Sequence, residues 1–122
     1  MLNALMTFGA LSAATSVVLG AFGAHALQDT LNETRLKSFE TAVRYQMYHV
    51  IVLLFVITYN QFTQQTKNVI SYLFFAGIFF FSGSIYAITL GVSSKLIWFL
   101  TPLGGMFFIV GWLKIGFSFL KK

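Results

Sequence analysis

The chain has no cysteine, a single proline (Pro102), two histidines and only three acidic residues. Without cysteine there can be no disulfide, no thiolate metal ligand and no thiol nucleophile, and the redox compartment leaves no trace. The shortage of charge is more telling. Only 9% of residues are charged, against about 25% in soluble domains, whose small size leaves much surface to keep wet. So few polar groups cannot cover a water-facing surface, so lipid must be the solvent.

What is present is apolar. The 122 residues, one domain's worth, are 57% hydrophobic and 18% aromatic. Four runs are long enough for a hydrocarbon core, which takes about 20 helical residues: about 2–24, 42–59, 69–90 and 96–120. The predicted fold is all-α: one transmembrane domain, 1–122, forming an up-down-up-down four-helix bundle. Ala24-His25-Ala26 has the small-x-small look of a signal-peptide cleavage site. No basic residue precedes the first run, however, and it is long and rich in Gly and Ser, so it reads as a retained helix.

Residues 25–41 are the one extended polar segment, with Leu27, Leu31, Leu36 and Phe39 among Asp29, Glu33, Arg35, Lys37 and Glu40. This pattern predicts a short interfacial amphipathic helix between spans one and two, capped by Asp29 or Thr30. Glu33 and Lys37, and Glu40 and Arg44, stand four apart in the favourable order. A solvated loop is the alternative reading.

The net charge is +5, but the basic residues flank apolar runs instead of forming a stripe. Nucleic acid is therefore not the expected partner. Anionic lipid headgroups are. Outside the runs, Arg35, Lys37 and Lys95 balance Lys67, Lys121 and Lys122 across the membrane. The basic flank of the first helix then favours external termini. Small residues recur at helical spacing at Gly9, Ala13, Ser16, Gly20 and Ala24. Another small face holds Ala76, Gly83 and Ala87, and the last span holds Gly104, Gly105 and Gly111. Such faces let backbones approach closely, within the bundle or against a second copy or another membrane protein.

Residues 38–55 carry Glu40, Arg44, Gln46 and His49 directly into an apolar run. Alternating spans bring His25, Ser82, Tyr86 and Thr101 to the same side, so these eight form the candidate polar cluster, expected in one half of the bilayer. His25 and His49 with Glu40 could supply metal ligands. No HxxxH or HExxH pair supports them, so no metal is expected. His49 with Tyr45 could relay protons, or His49 and Gln46 could fasten neighbouring helices. Ser82 and Ser84 have no partners at triad spacing, so neither catalytic residues nor a cofactor is expected.

The stretches GAFGAHAL (20–27), FETAVRYQMYHVIVLL (39–54), FSGSIYAITL (81–90) and LTPLGGMFFIVGW (100–112) resemble the signature blocks of a known family. It is the uncharacterised family of small bacterial membrane proteins that also includes eukaryotic transmembrane protein 256. The resemblance implies a four-helix membrane domain and brings no activity, substrate or cofactor. Two functions stay open. One is a non-enzymatic structural or accessory protein of the plasma membrane, supporting its integrity through helix and lipid contacts. The other is a small-solute or proton-linked channel or transporter with a polar vestibule in one leaflet.

Overall fold

The computed structural model describes residues 2–121. Helix α1 runs Leu2–His25 and α2 runs Glu33–Thr58. Helix α3 covers Gln64–Thr89 and includes a π-helical turn at Ile78–Ser82. A short α4, Ser94–Ile97, precedes α5, Leu100–Leu120. The four long helices are each apolar enough to cross a membrane, and no strand occurs among the described residues.

Side-chain caps explain why the helices reach into the polar connectors. Asn32 Oδ1 accepts from the Arg35 amide at 2.8 Å, satisfying an orphan N–H of the first turn. The cap is therefore Asn32, not Asp29 or Thr30, and Thr30 instead donates its hydroxyl to the Leu27 carbonyl. From this cap the amphipathic stretch runs without a break into the second span, so its polar turns are the opening of α2. Thr63 caps α3 in the same way, accepting from the Thr66 amide at 3.1 Å. Pro102 falls in the first turn of α5, where a missing N–H costs nothing. Glu33 and Lys37 pair at 3.5 Å. Arg44 turns instead to Thr41 Oγ1 at 3.4 Å, and Glu40 forms no ion pair with any described residue.

Burial is inverted relative to a water-soluble protein. Phe79 is 72% exposed and Leu120 80%, while Gln46, His49, Ser82 and Ser84 are each 5% exposed or less. Apolar surface of this extent facing outward fits hydrocarbon, and polar groups turned inward fit the need to satisfy them within the bundle. The apolar core lies toward the α2–α3 connector, where Leu5, Leu53, Val56, Phe74, Phe108 and Ile115 pack.

Two antiparallel seams hold the helices. Along α1 and α2, Gly9 faces Leu54, Gly20 faces Val43 and Gly23 faces Phe39. Along α3 and α5 the register runs Ser84–Thr101, Phe81–Gly104, Gly77–Phe108 and Phe74–Gly111. A Cβ on Gly104 would stand 2.2 Å from the Phe81 backbone nitrogen. Only glycine permits that approach. The π turn lies where Phe80 and Phe81 meet Gly104. Its wide ring closes through the Gly83 amide and the Ile78 carbonyl.

Candidate functional site: a polar ladder between the helices

Gln46 lies midway along α2 and reaches two neighbours at once. Its amide nitrogen donates to the Ser12 carbonyl at 2.8 Å and to the Ser12 hydroxyl at 3.2 Å, both on α1. Its amide oxygen accepts from the Tyr86 hydroxyl at 2.7 Å, on α3. Side chains of a helix lean toward its N-terminus, which lets Tyr86 lay its ring beside Phe39, 5.3 Å between centroids, and extend its hydroxyl inward. The amide thereby makes contact through both donors and its acceptor.

His49 stands one turn further on. Its Nδ1 lies 2.6 Å from the Tyr45 carbonyl, and Nε2 lies 3.1 Å from Trp112 Nε1 on α5. A carbonyl only accepts and an indole N–H only donates. The proton must therefore sit on Nδ1, which makes the ring the neutral tautomer with Nε2 as acceptor. Phe108 stacks on the ring at a centroid distance of 3.6 Å, and Phe74 meets it edge-on at 5.1 Å.

Two further ties complete the ladder. Ser82 donates to the Ala42 carbonyl at 2.7 Å, joining α3 to α2. Ser84 and Thr101 share a short hydroxyl–hydroxyl bond between α3 and α5. Of the eight candidate residues, Gln46 and Tyr86 meet directly, while His49, Ser82 and Thr101 are tied to other groups. His25, Glu40 and Arg44 are exposed and join none of these contacts. Arg44 and Glu40 border a shallow groove of about 150 Å³ with Gly20 and Gly23.

The packing glycines divide as well. Gly104 and Gly111 sit against Phe81 and Phe74, whereas Gly83 and Gly105 have no foreign atom nearer than 3.9 Å. Ala13 is half-buried on α1. The partner Ser12 and the reciprocal Gly77 carry no signal of their own in an apolar sequence, and only helix register singles them out. Trp112 stands out only as the last residue of the block 100–112.

A cavity of about 470 Å³ opens beside His49 between α2 and α5, lined by Tyr45, Tyr48, Phe108, Ile109 and Trp112. Neither Gln46 nor Tyr86 borders it. No group of three or more His, Asp or Glu side chains positioned for a metal occurs among the described residues. At the opposite end, Lys67 and Ser71 are also buried, and Ser71 Oγ is the one enclosed side-chain oxygen without a partner among the described residues.

Comparison with known proteins adds the family. A UPF0382 membrane protein of Staphylococcus aureus, SAB0533, is 43% identical over 107 residues, covering 88% of this chain and 87% of that protein. A UPF0382 membrane protein of Haemophilus influenzae is 37% identical over 126 residues, covering 100% and 98%. YwdK of Bacillus subtilis, also a UPF0382 membrane protein, is 35% identical over 122 residues, covering 98% of each. No solved structure matches significantly. The model of the family described as "Protein of unknown function (DUF423)" matches residues 19–105, and with relatives of this identity along nearly its whole length the chain belongs to that family of multi-pass membrane proteins.

Proposed function

We propose that the chain is a non-enzymatic structural or accessory protein of the plasma membrane. It supports membrane integrity through its helix and lipid contacts, alone, with a second copy or with another membrane protein. One observation carries this reading: the polar side chains of the ladder are already committed to neighbouring helices or to backbone. The Gln46 amide, both nitrogens of His49, and the hydroxyls of Ser82, Ser84 and Thr101 all bond a neighbouring helix or their own backbone. Interhelical bonds of this kind stabilise a membrane bundle by about 0.6–2 kcal/mol each. Groups so engaged are poorly placed to strip water from a solute or to pass a proton.

A channel would need a polar path joining His25, His49 and Tyr86. The cavity at His49 instead borders aromatic and aliphatic side chains and does not touch Tyr86. Proteoliposomes loaded with a pH-sensitive dye test the choice. Proton flux indistinguishable from empty liposomes is expected, together with detergent sensitivity in a bacterial strain lacking the gene. Flux above background that His49→Phe abolishes would overturn the structural reading.

A further inference from the structure

The end of the bundle formed by the α2–α3 connector and the close of α5 holds basic side chains and no acidic ones. Every Asp and Glu precedes residue 41, at or before Glu40. Lys114, Ser118 and Lys121 fall four and three residues apart, which puts them on one face of α5. With Thr66 and Gln61 they border a cavity of about 220 Å³, several times the roughly 30 Å³ share of one water. The α3–α5 register, carried beyond Phe74–Gly111, brings Ser71 level with Lys114 and Lys67 level with Ser118. Lys67 is only 7% exposed. None of the ammonium groups of Lys67, Lys114 and Lys121 makes a hydrogen bond or ion pair with a described residue. The hydroxyl of Thr66 accepts from Thr63 at 3.0 Å, which leaves its own proton free to donate.

Clustered cations without counter-ions repel one another, and an anion held among them relieves that repulsion. On the adjoining face of α5 an apolar groove of about 240 Å³ runs along Trp112, Leu113, Gly116, Phe117 and Leu120. A cationic polar cavity beside an apolar track is the complement of an amphiphile, an anionic head on a hydrocarbon tail.

We propose that this end is a binding site for an anionic phospholipid, with its phosphodiester held by Lys114, Lys121 and Thr66 and assisted by Lys67. One acyl chain then lies along the Trp112–Leu120 groove. The site deepens the lipid-contact part of the functional reading and rests on it.

The test uses the full chain in neutral detergent, titrated with phosphatidylglycerol and followed by thermal unfolding and native mass spectrometry. Phosphatidylglycerol is expected to raise the melting temperature and to be retained on the protein, and phosphatidylcholine is not. Each lysine near a charged surface contributes roughly a fivefold change in affinity. K114Q/K121Q should therefore bind about 30-fold more weakly, K67Q about fivefold more weakly, and K37Q/K95Q at the other end as the wild type. Wild-type affinity in K114Q/K121Q, an equal loss in K37Q/K95Q, or no preference over phosphatidylcholine would overturn the site. An equal shift from inorganic phosphate would overturn its assignment to a lipid. A bundle that melts normally yet ignores phosphatidylglycerol would sink the site while leaving the structural reading intact.

Discussion

The two seams of the bundle use glycine differently. On the α1–α2 seam the glycines sit on α1 alone and face the far ends of flexible side chains. Added Cβ atoms would meet Leu54 at 3.0 Å, Val43 at 3.4 Å and Phe39 at 2.9 Å. On the α3–α5 seam each helix supplies glycine to the other's phenylalanine, and the same test gives 2.4 Å at Gly77, 2.2 Å at Gly104 and 2.4 Å at Gly111. On that seam Gly104 lets the backbones close to near contact, while Gly77 and Gly111 each seat a phenylalanine ring. Where the glycines are one-sided a side chain fills the gap and can yield. The α1–α2 seam is correspondingly the one reinforced by the Gln46 amide, which spans from Ser12 to Tyr86.

Substitutions can break or sharpen that contrast. Gly104→Val should have the largest effect, because its side chain would meet the Phe81 backbone and nothing there can rotate away. A loss at or above the upper end of the 1–3 kcal/mol seen for overpacking is expected, read as absent or aggregated protein after detergent extraction. Gln46→Ala should follow, leaving the Tyr86 hydroxyl unpaired and removing the tie to Ser12 for about 1–3 kcal/mol, measured by thermal unfolding in mild detergent. His49→Ala should cost about 1–2 kcal/mol through the lost Trp112 bond and Phe108 stack. A blue shift or quenching change in tryptophan fluorescence would accompany it. An unchanged melting curve together with a lost cellular phenotype would instead mark His49 as a functional group. Gly20→Ala should be smallest: its Cβ would meet Val43 at 3.4 Å, an ordinary van der Waals contact, and alanine favours helix by up to about 1 kcal/mol. A neutral or slightly raised melting temperature is expected. A Gly20→Ala defect as large as that of Gly104→Val would erase the distinction between the seams.

Much of the architecture could be read from the sequence, because span length and apolarity are properties of a single run. The four helices and their alternation follow from that alone. Their ends do not, since one side chain, Asn32 or Thr63, decides whether a polar connector winds into the next helix. The π turn at Ile78–Ser82 has no local signature, and its place against Gly104 is a matter of packing. Phe74 and Phe79 look alike in the sequence, yet one is enclosed and the other 72% exposed, because they occupy different faces of one helix.

The candidate site shows the same division. Gln46, His49 and Tyr86 stand out as rare polar groups in apolar runs, whereas Ser12 and Trp112 become their partners only through helix register. Lys114 was hidden inside the last apolar run. Its alignment with Ser118 and Lys121 beside the α3 terminus adds a further lysine to those the sequence already places at that end. The half of the bundle away from the polar ladder is not uniformly apolar. It holds the apolar core, and at its rim the buried Lys67 and the lysine face of α5.

The account holds that the intramembrane polar groups fasten helices together. A double-mutant cycle of Gln46→Leu and Tyr86→Phe, read by unfolding in mild detergent, tests that most directly. A coupling energy of about 0.6–1.7 kcal/mol between the two sites is expected for a bond of this kind. Strictly additive effects, with both single variants as stable as the wild type, would contradict it.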